Sequence, residues 1–363
     1  MLNFCVGFLI SFVVTAMMVR YAHLHRHLSA DHDTRGAQKF HSRPVPRVGG
    51  IGIFLALLGG ILALYFFKAP QTREFALLVV ASSIAFAAGT IEDLTKRVSP
   101  TARLLATMVA AGVAIYLLDT RITHIGMPGI DNLIGIAAVS VMLTCVAVAG
   151  LANAINIIDG FNGLAAIVAA MMFLSLSYVA LQVGDSFVLS VALVIMGATL
   201  GFFLWNFPAG LIFLGDGGAY LIGFMLAELA IILVMRHPQV SVWYPVLMFI
   251  YPLFETLFSI YRKKFIRGIS PGIPDGVHLH MLVYKRLMRW AVGSKDERHR
   301  LRRNSFTSPY LWALSLSAIL PATFFWRSTQ ILVIFIILFV VTYVWLYWSI
   351  VRFKAPRWMI FKK

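Results

Sequence analysis

The sequence predicts an all-α fold, a polytopic membrane bundle of about 11 spanning helices, and three observations carry that expectation. Of the 363 residues, 60% are hydrophobic and only 13% are charged, and the mean hydropathy of +0.84 lies far outside the range of water-soluble domains. The apolar residues fall in runs of roughly 20, the length needed to cross a hydrocarbon layer of about 30 Å, where a backbone facing lipid must pair its own N–H and C=O groups. Lys and Arg, finally, are concentrated in alternate connections between the runs.

In chain order the predicted spans cover 2–19, 48–67, 75–91, 104–118, 132–150, 163–183, 187–204, 218–235, 242–261, 309–326 and 330–350. The first has basic residues only after it and lacks a small-residue cleavage site, so it reads as a retained helix and not a signal peptide. Gly and Pro inside later spans are compatible with helix, because neighbouring helices satisfy the freed backbone groups. With the N-terminus outside, the inner segments 20–47, 92–103, 262–303 and 351–363 hold 26 of the 31 basic residues, and the outer ones keep Lys68, Arg73, Arg121, Arg236 and Arg327. The expected topology is therefore N-terminus out and C-terminus in. The formal charge of +16 then belongs to loops that meet anionic lipid headgroups and phosphate-bearing ligands, and a nucleic-acid role is excluded for want of a soluble basic domain. Cys5 and Cys145 fall in spans and read as small packing residues. No repeat or linker divides the chain, which is one domain over 1–363, with a cytoplasmic loop at 262–308 whose basic stretch from Lys285 to Arg303 is expected to lie on anionic lipid.

Carboxylates, amides and His are costly in lipid unless they have a partner or a task, so their placement is informative. They collect in five inner connections. The first contains Lys39-Phe40-His41-Ser42-Arg43-Pro44, the second Glu92-Asp93, the third Asn153 to Asn162, the fourth Asn206 to Asp216, and the fifth Arg262 to His280. Asn153 and Asn156, at i and i+3, would share a helix face, and the cluster through Asp159 and Asn162 supplies the oxygen donors that a divalent cation and a diphosphate require. A solvated connection is the alternative, and Ile and Phe between the polar residues argue against it. Asp216, set among glycines after Phe213-Leu214, is suited either to bind a hard cation or to cap a helix. Asp93 has an intrahelical ion pair with Lys96 or Arg97 open to it, or a role beside a phosphate. His278-Leu279-His280 puts two imidazoles on one side of an extended segment, for a metal or for phosphate, and zinc is the weaker option without Cys or a third close His.

In this order, from about Asp33 to His280, the segments resemble the polyprenyl-phosphate N-acetylhexosamine-1-phosphate transferases. The most specific pieces are Asn153-Ala-Ile-Asn156-Ile-Ile-Asp159-Gly and Phe213-Leu-Gly-Asp216-Gly-Gly. Lys39-x-His41-x-x-Pro44-x-Pro46-Arg47-x-Gly49-Gly50 and His278-Leu-His280 support them. The resemblance implies transfer of a sugar-1-phosphate from a UDP-amino sugar, by default UDP-N-acetylglucosamine, to undecaprenyl phosphate at the cytoplasmic face of a bacterial inner membrane, with Mg²⁺, or Mn²⁺ in its place. It implies that Asp216 is the principal Mg²⁺ ligand, that Asp93 acts on the lipid phosphate, and that Asp159 with Asn153 and Asn156 holds the metal–diphosphate geometry. Phe213 and Asn206 match positions that contact uracil, and His278, His280 and Arg267 match positions near the sugar and diphosphate. Lys39, His41, Glu92 and Asn162 join them as substrate-binding candidates.

Four positions depart from the family pattern. Glu92-Asp93 stands for paired aspartates, Asn162 for the second aspartate of the third motif, and Ala219 for a serine. Met281 stands for the third His of the peptidoglycan translocase, which points to the O-antigen-initiating type. Direct attack and a phospho-aspartate on Asp93 are both open, as is a homodimer. The rival class is a secondary transporter using Glu228 or Glu255, the two carboxylates within spans, although no broken pair of helices or inverted halves accompanies them.

Overall fold

The computed structural model describes residues 1–23, 30–31, 45–270, 276–288 and 297–352. In chain order the elements are α1 (Leu2–Arg20), β1 (Ala30–Asp31) paired antiparallel with β2 (Val45–Pro46), α2 (Gly49–Phe66), α3 (Thr72–Thr95), α4 (Pro100–Leu118) and the short α5 (Ile130–Ile134). Then come α6 (Ala137–Ile158), α7 (Leu164–Val183), α8 (Ser186–Asn206), α9 (Gly215–Arg236), α10 (Trp243–Met248) and α11 (Ile250–Tyr261), followed by α12 (Leu279–Leu282), α13 (Glu297–Phe324) and α14 (Thr329–Val351). Among the described residues, nine helices are long and apolar enough to cross a membrane: α1 to α4, α6 to α9, and α14. The protein is a multi-pass all-α membrane bundle.

Two of the expected spans take a different form. The segment 242–261 is broken at Phe249 into α10 and α11, and the break has a cause in Pro252, which has no N–H to give the carbonyl four residues back and is tolerated only in a first helical turn. The segment 309–326 belongs to α13, a 28-residue helix that starts at Glu297 and carries buried Asn304, Ser305, Thr307, Ser308 and Ser315. Those polar residues hold its hydropathy below that of a simple span. Within the basic stretch expected to lie on lipid, three cations bind the protein itself, while Arg300 and Arg302 are exposed. Arg303 donates to the Tyr284 carbonyl at 3.2 Å, Arg286 to that of Ile350 at 2.8 Å, and Lys285 to that of Gly276 at 2.6 Å. These cations serve backbone acceptors inside the protein.

Several spans also run further toward one end than expected. α3 reaches Thr95 and α6 reaches Ile158, so Glu92-Asp93 and Asn153 to Asn156, read as loop residues, lie on final helical turns. Ile155 and Ile158 are fully buried, and this apolar face is what carries α6 onward.

α9 is the axis of the bundle. Every residue from Gly215 to Val234 is buried, against α2, α3, α6, α7 and α8. Between helices in lipid, close backbone approach at small residues replaces the hydrophobic drive. α1 packs on α8 in this way: a Cβ on Gly201 would stand 2.5 Å from the Phe8 carbonyl oxygen, and one on Gly197 2.2 Å from that of Phe4. Gly201→Val should therefore push α1 away from α8 and cost about 1–3 kcal/mol by overpacking. Thermal unfolding in detergent checks this, with a lowered midpoint expected.

Candidate active site

The site forms at the end of the bundle where α2, α4 and α9 begin and α3, α6 and α8 finish. The chain before α2 pairs with the chain before α9: Phe213 N donates to the Pro46 carbonyl at 2.8 Å, Gly49 N to that of Phe213 at 3.0 Å, and Gly50 N to that of Leu214 at 2.9 Å. This pairing sets Arg47 beside the first turn of α9. Asp93, at the end of α3, accepts from Asp216 N at 3.0 Å and Gly217 N at 2.9 Å, so it serves the orphan donors of α9 and meets the positive end of its dipole. The cap considered for Asp216 is thus supplied by Asp93.

Asp216 is left to face two guanidiniums. Arg47 Nη2 donates to its Oδ1 at 2.9 Å, and Arg103, in the first turn of α4, pairs with its Oδ2. Arg47 Nε is also 3.6 Å from Asp93 Oδ1, which makes Arg47 an ion partner of both acids. Gly215 has φ +77°, and a Cβ there would meet Asp93 Oδ2 at 2.5 Å and the Arg47 carbonyl oxygen at 2.3 Å. This glycine makes room for the protein's own carboxylate.

A cavity of about 360 Å³ opens onto these groups. Its walls include Arg47, Arg103, Asp159, Asp216, Asn156 and His278, together with Glu92, Phe213, Asn162 and Asn206. The structure thus brings most of the predicted residues to one place, with distinctions among them. Asp93 is 2% exposed and stands behind Asp216, and Glu92 Oε2 accepts from Val98 N at 2.7 Å. Asn153 is outside the cavity wall and accepts from the Tyr220 hydroxyl at 3.2 Å. Asn206 donates to the Ile212 carbonyl at 2.8 Å and accepts from Gly163 N, and the Asn162 amide donates to the Pro208 carbonyl at 3.1 Å, so both amides also tie the connections together. Arg267 is exposed and outside the cavity wall, its backbone N donating to the Arg262 carbonyl at 3.0 Å. Lys39 and His41 lie outside the described residues.

The two histidines part company. His278 lines the cavity and pairs through Nδ1 with Glu255 Oε1 at 3.0 Å. His280 is fully buried, with its ring 5.2 Å from that of His278 and 5.7 Å from that of Phe161. Burial, helped by His278 and opposed by Glu255, lowers His280 to about 3, so it is a neutral packing imidazole at neutral pH. Asp159, the residue that ends α6, is pushed up to about 8 by burial and by Asp93, against the pull of Arg47. Among the described residues no three His, Cys, Asp or Glu side chains form a ready-made ligand set. The oxygen donors offered to a hard cation are Asp159, Asp216 and the Asn156 amide, a small set of the kind that Mg²⁺ completes with water and substrate phosphate.

Sequence reasoning missed Arg103 and the contribution of α13, and it named Glu255 only for the rival transporter class, not as the partner of His278. Arg103 counts there only toward orientation, although a cation at the threshold of an apolar helix is itself a signal of a buried partner. From α13, Asn304 Oδ1 accepts from Asn162 N at 2.8 Å and Ser308 donates to the Asn162 carbonyl at 2.6 Å. Trp312 donates to the Gly163 carbonyl at 3.1 Å.

A family model described as glycosyl transferase family 4 matches residues 75–234, which hold Asp93, Asp159 and Asp216. A protein of Bacillus subtilis (strain 168), described as a probable undecaprenyl-phosphate N-acetylglucosaminyl 1-phosphate transferase, is 30% identical over 312 residues, 84% of this chain and 81% of its own. The chain belongs to glycosyl transferase family 4. Other relatives of this family 4 protein include an undecaprenyl-phosphate alpha-N-acetylglucosaminyl 1-phosphate transferase of Thermotoga maritima, 26% identical over 282 residues, covering 78% of this chain and 81% of that one. A phospho-N-acetylmuramoyl-pentapeptide-transferase of Streptococcus pyogenes is 30% identical over 205 residues, 52% of this chain and 59% of its own.

The raised Asp159 in this family 4 site has a consequence for pH. The folded protein holds the proton to about 8, whereas an unfolded chain releases it near 3.8. Its stabilising contribution is complete below 3.8 and is lost as pH rises to about 8. In chelator-containing detergent buffer, the thermal midpoint of wild type should fall more steeply from pH 5 to 8 than that of Asp159→Asn; parallel curves would contradict the assignment.

Proposed function

We propose that this protein transfers N-acetylhexosamine-1-phosphate, by default N-acetylglucosamine-1-phosphate, from a UDP-sugar to undecaprenyl phosphate and releases UMP, at the cytoplasmic face of a bacterial inner membrane. The observation that carries this reading is the meeting of Asp159 and Asp216 with Arg47 and Arg103 on one cavity, at the end of the bundle where the basic connections collect. Two anionic substrates must approach each other there, so charge neutralisation and alignment dominate the problem. The printed names of the Bacillus and Thermotoga relatives support the sugar phosphate and the polyprenyl acceptor.

In this reading Arg47 and Arg103 clamp the diphosphate of the donor, and Phe213 offers the uracil a ring in the cavity wall. Asp216 and Asp159, with Asn156, would hold Mg²⁺, which supplies charge neutralisation on the phosphate oxygens. A lipid phosphate oxygen forms a bond to the β-phosphorus, the bond from that phosphorus to the bridging oxygen breaks, and UMP leaves with the bridging oxygen. Asp93 supports direct attack: both its oxygens accept α9 N–H groups and it is buried behind Asp216, a poor position for a nucleophile. Its task is to hold Arg47 and the first turn of α9 in place. Met281 gives the cavity an apolar wall beside His278, in keeping with a donor smaller than a muramoyl pentapeptide.

Asp216→Ala should fold, elute as wild type does on gel filtration, and lose UMP release by at least about 100-fold, as expected for removal of a principal electrostatic group. The measurement uses purified protein with undecaprenyl phosphate, Mg²⁺ and a panel of UDP-sugars. Wild-type turnover by the variant would refute the assignment.

A further inference from the structure

Glu255 is buried at 1% exposure on α11, outside the cavity wall, and no step described so far uses it. Its Oε1 accepts from His278 Nδ1 at 3.0 Å and from Leu279 N at 2.9 Å, while its Oε2 lies 3.9 Å from His280 Nδ1. The carboxylate therefore grips the start of α12 at two points. Behind it, His280 is stacked on His278, with ring centroids 5.2 Å apart and an interplanar angle of 5°. His278 is itself only 4% exposed, and what it does expose is toward the cavity shared with Arg47, Arg103, Asp159 and Asp216.

A carboxylate can only accept, so the shared hydrogen bond places a proton on His278 Nδ1 and leaves Nε2 as the atom available to the cavity. Two consequences follow from the chemistry. The hydrogen bond to Glu255 sets the tautomer before a ligand arrives, which lowers the ordering cost of binding. A second proton at Nε2, donated in a hydrogen bond to a phosphate oxygen, would make His278 an imidazolium held between two anions, with Glu255 balancing its charge from behind. Neutral His280, with no hydrogen-bond partner at either ring nitrogen among the described residues, serves as the stacking wall and does not compete for the phosphate.

We propose that Glu255 is a positioning residue, one that fixes His278 so that its Nε2 hydrogen-bonds a phosphate oxygen of the bound nucleotide diphosphate. The inference deepens the transferase reading and rests on it. Residues that orient a contacting His through its other ring nitrogen commonly change activity by roughly 10- to 100-fold when altered.

The test is a double-mutant cycle on UMP release with UDP-N-acetylglucosamine, undecaprenyl phosphate and Mg²⁺, using wild type, Glu255→Gln, His278→Ala and the double variant. Glu255→Gln should lower kcat roughly 10- to 100-fold with KM for the lipid acceptor unchanged, and should cost almost nothing further in the His278→Ala background. Losses that multiply in the double variant would overturn the proposal, because Glu255 would then act by packing and not through His278. A second arm needs no turnover and no stable variant of Glu255. In ¹⁵N-histidine-labelled wild type, the His278 resonances, identified by their loss in His278→Ala, should show a protonated Nδ1, and a bare Nδ1 would overturn the proposal. If wild type released no UMP from any UDP-sugar, the transferase reading would fail, while the labelled spectrum would still decide the orientation of His278.

Discussion

Asp216 is an anion buried at the head of the most enclosed helix in the bundle, and the rest of the architecture can be read as what that burial requires. A charge taken out of water costs several kcal/mol unless partners are held in good geometry around it. Here the partners are Arg47 and Arg103, and Asp93 in turn secures Arg47 and the first turn of α9. Four helices must therefore end or begin within a few ångströms of one another, and the absence of a side chain at Gly215 permits it. A charged network so arranged is preorganised: in the proposed reading, an arriving diphosphate would meet cations already in position instead of having to gather them.

Around this centre lies a layer of polar contacts that connects it to the remainder of the chain. Asn162 is fastened to α13 through Asn304 and Ser308, and Asn206 spans the connections after α6 and α8. Glu255 performs the same service for the segment that carries His278. Backbone groups in connections at this depth have little water to bond to, so amides and hydroxyls take its place. This also explains why several amides singled out as ligand contacts have their bonds directed partly to the protein itself.

Much of the bundle was legible because lipid imposes a simple rule: apolar runs long enough to span become helices, and α7 to α9 sit close to where their runs predict. Asp159 and Asp216 stood out for the complementary reason, as acids that an apolar stretch tolerates only with a partner or a task, and both line the cavity. What could not be read was pairing across long separations. Nothing local in Glu255 indicates His278, and nothing in Asn304 indicates Asn162, since those contacts depend on how helices far apart in sequence are arranged. α13 was obscured further by its composition, because the Ser, Thr and Asn that make it resemble a solvated loop are the residues it buries. Helix ends were misjudged where polar side chains occupy final turns, as at Asn153, Asn156 and Asp93, where partners on α9 compensate.

An experimental structure of the protein with Mg²⁺ and UDP-N-acetylglucosamine tests the central claim most directly. The account predicts diphosphate density within hydrogen-bond reach of Arg47, Arg103 and His278, with the cation on Asp159 and Asp216. Donor bound elsewhere, for example in the groove at the opposite end of the bundle beside Glu74 and Arg236, with the Asp216 pocket unchanged, would contradict it.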